Sequence, residues 1–169
     1  FNEALHETAR NFGVSFTPRQ LNDYRKMQER LRRQTFELRA GVNKTLATLR
    51  RRGIHLGSVS NIDNDQFSQM LTISGLRKSF DTFLTSEDAG SCKPDQIIFL
   101  KALEQADCSP QEAAFVGDSI QQDIAGANRC GLHSVLLWSR PNKRPKASEI
   151  SPRHTIHNVP EILNTPLFE

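Results

Sequence analysis

Apolar residues along this chain recur with two alternating periods. Val42, Thr45, Leu46 and Leu49 lie on one face of a helix that Gly53 ends, and a short continuous apolar run at residues 54–59 then reads as a strand. The same exchange repeats downstream. Phe67, Met70, Leu71 and Ile73 mark a helix over residues 65–74, and residues 81–84 a brief strand. A helix over residues 94–106, with Pro94 in its first turn, precedes a strand at residues 113–116. A helix over residues 119–130, stopped by Gly131, leads into a strand at residues 134–138. Beyond it a Pro- and Lys-rich loop runs to about Pro152, and a short strand near Thr155 and a helix from Pro160 close the sequence.

Upstream of Val42 the pattern is helical only. Phe1, Leu5, Ala9 and Phe12 share one face of a helix over residues 1–13, which Gly13 stops. Thr17-Pro18-Arg19-Gln20 opens a second helix: Thr17 caps it, Pro18 suits its first position, and Gln20 completes a capping box. It is strongly charged and reaches about Phe36. The chain therefore divides into a short helical segment, residues 1–40, and an α/β segment, residues 41–169. Helix–strand alternation predicts a Rossmann-like parallel sheet with helices on both faces. Such sheets bind ligands outside the carboxyl ends of their strands, which directs attention to the residues after Val59, Leu84, Val116 and Trp138.

Composition narrows the function classes. In 169 residues, 37% hydrophobic and 24% charged, there is room for one soluble globular domain and a small appendage. A net charge of +3 is too mild to argue for a nucleic-acid partner. Arg30, Arg32 and Arg33, and then Arg50, Arg51 and Arg52, read as solvated helix faces, with anion or partner contact as the alternative. Cys92, Cys108 and Cys130 are far apart, with neither zinc-ligand nor disulfide-framework spacing, which suits a reducing cytoplasm. The five histidines show no H-x-x-x-H spacing. No apolar run approaches the length of a membrane span, and no secretory leader is visible, although Phe1 is not a natural start residue.

The expected strand ends carry coherent chemistry. Ser60 and Asn61 follow the first strand, Lys93 precedes the helix near Pro94, and Gly117-Asp118-Ser119 follows the third strand with Asp123 five residues past Asp118. Carboxylates without softer ligands suit a hard cation such as Mg²⁺. An ammonium and a hydroxyl suit phosphoryl oxygens, and phosphoryl transfer needs chiefly positioning and charge neutralisation. Taken singly, each residue has a plainer reading. Ser60-Asn61 is turn chemistry, Lys93 a surface lysine, Asp118 or Ser119 a helix cap, and Asp123 a charge favouring a helix N-terminus. Their order, each at a strand end, favours the joint reading.

Three segments carry a family resemblance. Ile54-His55-Leu56-Gly57-Ser58-Val59-Ser60-Asn61 resembles the second motif of the haloacid dehalogenase superfamily, and Cys92-Lys93-Pro94-Asp95 followed by Ile98-Phe99 resembles the third. Val116-Gly117-Asp118 through Asp123 to Ala127 is similar to the fourth, G-D-x-x-x-x-D followed by a small-residue helix. The resemblance implies that Ser60, with Asn61, binds the transferring phosphoryl group and that Lys93 neutralises nucleophile and phosphoryl oxygens. Asp118 would hold Mg²⁺, and Asp123 would ligate it through water or hold Lys93 in place. Residues 1–40 resemble part of the helical cap that follows the first motif in one subfamily.

The first motif, D-x-D-x-T, is absent. Asp63-Asn64-Asp65 fits only superficially and reads as loop and helix cap. In the family, the first aspartate attacks phosphorus and the second serves as general acid and base. Its strand sits mid-sheet, between those ending at Val59 and Val116. The expectation is thus a Mg²⁺-dependent phosphohydrolase of a small phosphorylated metabolite, acting through an aspartyl phosphate, with the nucleophile upstream of Phe1 and the central first strand missing from this chain. The alternatives are a catalytically inactive truncated fragment or partner-binding module, and a metal-free haloacid dehalogenase.

Overall fold

The computed structural model of the chain describes residues 9–139 and 150–168. Of the helix expected over residues 1–13, residues 1–8 lie outside the described residues, 9–11 are helical and 12–13 form a turn; residues 140–149 of the Pro- and Lys-rich loop also lie outside the described residues.

The N-terminal helix, α1 (Pro18–Thr35), forms as its first turn predicts. The Thr17 hydroxyl accepts from the Gln20 N–H and the Gln20 side chain accepts from the Thr17 N–H, so two otherwise orphaned donors are satisfied at once. None of its residues is fully buried. Helix α2 (Val42–Arg51) buries Thr45 and Leu49.

Strand β1 (Gly57–Ser60) begins three residues later than the apolar run does. The cause lies outside the run. The Ile54 N–H turns back to the Leu49 carbonyl, and the Asp81 carboxylate takes the Leu56 N–H at 2.9 Å while the Asp81 N–H takes the Leu56 carbonyl. Helix α3 (Asn64–Ser74) follows, then β2 (Thr82–Thr85) and a short α4 (Ser86–Ala89) capped by the Thr85 hydroxyl. Helix α5 (Gln96–Ala106) starts after Pro94, not at it. Asp95 is its cap, accepting from the Ile97 N–H, and the Lys93–Pro94 peptide is cis.

After β3 (Ala114–Gly117) the single helix expected over 119–130 divides into a π-helical turn, Ile120–Ile124, and α6 (Ala125–Arg129). The wide turn lets the Asp123 carboxylate fold back onto the Ser119 N–H at 3.0 Å. Strands β4 (His133–Leu137) and β5 (His154–Ile156) complete the strands. The helix expected from Pro160 is the 3₁₀ segment Val159–Asn164, cut short because Pro166 disfavours the helical conformation at Thr165.

All strand pairings are parallel, as the alternation predicts, but the sheet is in two pieces: β1 with β2, and β3-β4-β5. Between β1 and β3 runs an apolar groove of about 630 Å³, lined by Val59 and Leu84 on one side and Phe115 and Val116 on the other. Two apolar layers roof and floor it. In one, Ile98, Phe99 and Leu103 of α5 pack with Leu84, Ala127 and Leu132. In the other, Leu49 and Leu56 pack with Val135, Ile156 and Ile162. Val116, in mid-strand, is 44% exposed.

Phe99 links helix to sheet. Its ring lies 4.8 Å from that of Phe115, and it fills the space where a side chain on Gly126 would stand. Gly126→Ala would overpack this contact. The expected loss is about 1–3 kcal/mol, read as a lowered urea midpoint, and Phe99→Leu in the same background should recover part of it. An unchanged midpoint for Gly126→Ala would show that the ring has room to move.

Candidate active site

Lys93 is the centre of the candidate site. Its side chain is 12% exposed, and its ammonium lies 2.8 Å from Oδ1 of Asp123, whose side chain is 7% exposed. The hydrogen bond from Nζ goes to the Val59 carbonyl at the end of β1, 3.2 Å away, and the Phe115 ring of β3 lies 5.4 Å below the cation. One lysine is thus held by groups from both sides of the groove.

Its backbone is equally fixed. The Asn61 side chain accepts from the Lys93 N–H at 2.8 Å and donates to the Lys93 carbonyl at 3.0 Å, a reciprocal pair that joins the two loops. The loop after Asn61 is tied down in turn. The Asn64 side-chain oxygen accepts from the Thr85 hydroxyl, its amide donates to Asp88, and its backbone N–H donates to Glu87. Ser60, half-buried, ends β1 directly above this clamp.

Beyond β3, Gly117 makes the site sterically feasible. A Cβ there would collide with the Asp123 side chain, so only glycine lets the π-helical turn bring Asp123 to Lys93. The caps divide as one of the sequence alternatives has it: Ser119, not Asp118, caps the turn, accepting from the Gln122 N–H at 3.2 Å. Asp118 is exposed at the carboxyl end of β3. Of the two alternatives for Asp123, the geometry matches the one in which it holds Lys93. Its second oxygen is taken by the Ser119 N–H, which leaves Asp118 as the carboxylate open to a hard cation.

Among the described residues no three His, Cys, Asp or Glu side chains cluster as a metal site. An ion at Asp118 would need further oxygen ligands from a phosphoryl group and from outside these residues. That donor chemistry, a single exposed carboxylate beside a caged lysine, fits Mg²⁺ rather than a thiophilic metal.

Several features of this site had no local signal in the sequence: the Val59 carbonyl, the Phe115 ring and the cis bond at Lys93. Burial pushes the thiol pKa values of Cys108 and Cys130 up, with Glu112 and Asp107 adding to the effect at Cys108. His55, His133 and His157 bond separately to Thr82, the Gln111 carbonyl and the Trp138 carbonyl. No helix of the described residues is long and apolar enough to cross a membrane.

Comparison with known proteins shows the family. The family profile of haloacid dehalogenase-like hydrolases matches residues 1–137. The chain is 38% identical over 128 residues to haloacid dehalogenase-like hydrolase domain-containing protein 3 of Bos taurus, covering 76% of this chain and 50% of that protein. It is 34% identical over 130 residues to a phosphoserine phosphatase of Thermus thermophilus, covering 77% of this chain and 51% of that protein. It thus spans about half the length of these relatives. Among known structures, a phosphatase of this superfamily from Thermococcus onnurineus superimposes with a TM-score of 0.73 at 26% identity, over 92% of this chain and 66% of that one. A 2-haloacid dehalogenase from Pseudomonas syringae gives 0.66 at 30% identity, over 77% and 53%.

Asp123→Ala would strand the Lys93 ammonium in its cage without a counter-charge. The expected cost is roughly 3 kcal/mol in urea denaturation, with Lys93→Met in the same background restoring a good part. A single-variant loss below about 0.5 kcal/mol would mean that the pair is solvated and does not hold the site together.

Proposed function

Because the chain belongs to the haloacid dehalogenase-like hydrolase family, we propose that it forms the body of a Mg²⁺-dependent phosphohydrolase acting on a small phosphorylated metabolite. Residues 1–40 serve as part of a cap and residues 41–169 as the core. One observation supports the reading: the Lys93 ammonium donates to the Val59 carbonyl at the end of β1 and lies 2.8 Å from Asp123 beyond β3, so it links the two strands that border the groove, with Ser60 and Asn61 following β1 and Asp118 following β3. A strand laid parallel in that groove would pair with both free edges and end its carboxyl terminus between these residues. We propose that this strand, expected upstream of Phe1, carries the attacking aspartate.

In this mechanism a carboxylate oxygen of that aspartate attacks phosphorus and the bond to the leaving-group oxygen breaks. A second aspartate of the same strand donates the proton that the leaving group takes. Water then attacks the aspartyl phosphate, gives its proton to the second aspartate and releases inorganic phosphate. Ser60 and Asn61 orient the phosphoryl oxygens, and Lys93 neutralises charge on them and on the nucleophile. Asp123 keeps Lys93 aimed. Asp118 would hold Mg²⁺, which would supply charge stabilisation on the phosphoryl oxygens. The relative named as a phosphoserine phosphatase supports a phosphomonoester substrate, and three free cysteines support a cytoplasmic setting. The neighbour named as a dehalogenase keeps halide displacement as the competing reading; the exposed Asp118 beside a caged lysine favours phosphoryl transfer.

Two measurements test this. The coding DNA upstream of the Phe1 codon should encode D-x-D-x-T at the end of an apolar strand. The full-length protein should release phosphate from small phosphomonoesters in a Mg²⁺-dependent, EDTA-sensitive way, and Asp118→Asn should lower kcat/KM by roughly 10²-fold or more. Turnover indifferent to both EDTA and Asp118→Asn would overturn the assignment, and halide release from 2-haloacids would replace it. An upstream sequence without the motif would point to a non-catalytic, partner-binding protein.

A further inference from the structure

A second cavity, about 840 Å³, lies between the cap helix α1 and the core. It abuts the candidate phosphoryl site: Ser91 and Cys92 in its wall immediately precede Lys93, and Asp63 comes two residues after Asn61. Its cap wall carries Arg25 and Arg32, and its core wall carries Asp63, Asp65 and Glu87. The segment Ser91-Cys92 thus joins the cavity wall directly to Lys93.

Two polar atoms in the wall lack partners. The Arg32 guanidinium is held in place by one hydrogen bond from Nη2 to the Gln69 side-chain oxygen at 3.0 Å, yet its Nε is buried and no acceptor reaches it among the described residues. The Ser91 hydroxyl is likewise buried without a partner. Buried donors are normally satisfied, and a guanidinium N–H left without an acceptor is the more costly kind of exception. Both atoms are donors to a missing acceptor, and one of them is cationic. This departs from the solvated-face reading of Arg32.

We propose that this cavity receives a leaving group bearing a carboxylate, which accepts from Arg32 Nε and the Ser91 hydroxyl. The inference rests on the phosphohydrolase reading above and narrows its substrate to phosphomonoesters of small hydroxy acids. The carboxylates of the core wall argue for this choice. A second phosphate would bring a near-dianion against Asp63, Asp65 and Glu87, whereas a single carboxylate is matched by the cap arginines. Arg32 is a specificity residue in this scheme and takes no part in bond breaking.

The test compares three probes on the full-length protein by titration calorimetry: 2-phosphoglycolate, its neutral analogue 2-hydroxyethyl phosphate, and ethane-1,2-diyl bisphosphate. The wild type should bind 2-phosphoglycolate at least about tenfold more tightly than 2-hydroxyethyl phosphate, the size of one charge-assisted hydrogen bond. Arg32→Gln should reduce that ratio to about twofold or less. Arg32→Lys, which keeps the charge but loses the Nε donor, should not restore it, and Ser91→Ala should lower it in part. A wild-type protein without the preference, a preference that survives Arg32→Gln and Ser91→Ala, or tighter binding of the bisphosphate would each overturn the proposal. Binding is read apart from turnover. A protein that prefers 2-phosphoglycolate but releases no phosphate from any ester would sink the phosphohydrolase reading and leave the carboxylate site standing.

Discussion

The Lys93–Asp123 pair is the constraint on which the rest of the site depends. A lysine so nearly buried needs its charge answered, and the answer comes from a carboxylate whose backbone belongs to the other half of a divided sheet. Meeting that need dictates much that would otherwise look incidental. Gly117 must lack a side chain, the following helix must open with a π-helical turn, and Ser119 must supply both a backbone donor and a cap. The packing extends the dependence inward: Gly126 admits the Phe99 ring, Phe99 supports Phe115, and Phe115 lies under the ammonium. Charge placement at the site is thereby coupled to the apolar core.

The same pair spans the groove. β1 and β3 each have one paired edge, and what joins their two sheets is a roof and floor of apolar side chains together with Lys93, which bonds the Val59 carbonyl on one side and meets Asp123 on the other. Unpaired strand edges with apolar walls are an unfavourable arrangement for an isolated chain in water. The proposed strand would satisfy the edges and cover Val116 in a single step.

Much of this was legible in the sequence where the determining contacts are local. The capping box at Thr17 and Gln20, the alternation that gives parallel strands, and the positions of Ser60 and Asp118 at strand ends all depend on neighbours within a few residues. What escaped depends on distant partners. Residues 54–56 are as apolar as a strand but are claimed by Asp81 and Leu49. Pro94 fits a first helical turn by itself, whereas the Asn61 clamp on Lys93 and the Asp95 cap move the helix start beyond it. Arg32 looks like one more charge on a basic face, and only Gln69, 37 residues away, turns it inward.

The cap helix buries no residue completely. Substitutions along it therefore cost the fold little, generally within about half a kcal/mol, while those in the core of α5 and β4 cost several times as much. A lineage carrying this architecture can sample new surfaces on α1 nearly free of folding constraint while the Lys93 cage stays fixed. The α1 surface is then the part of the described chain most open to evolutionary drift.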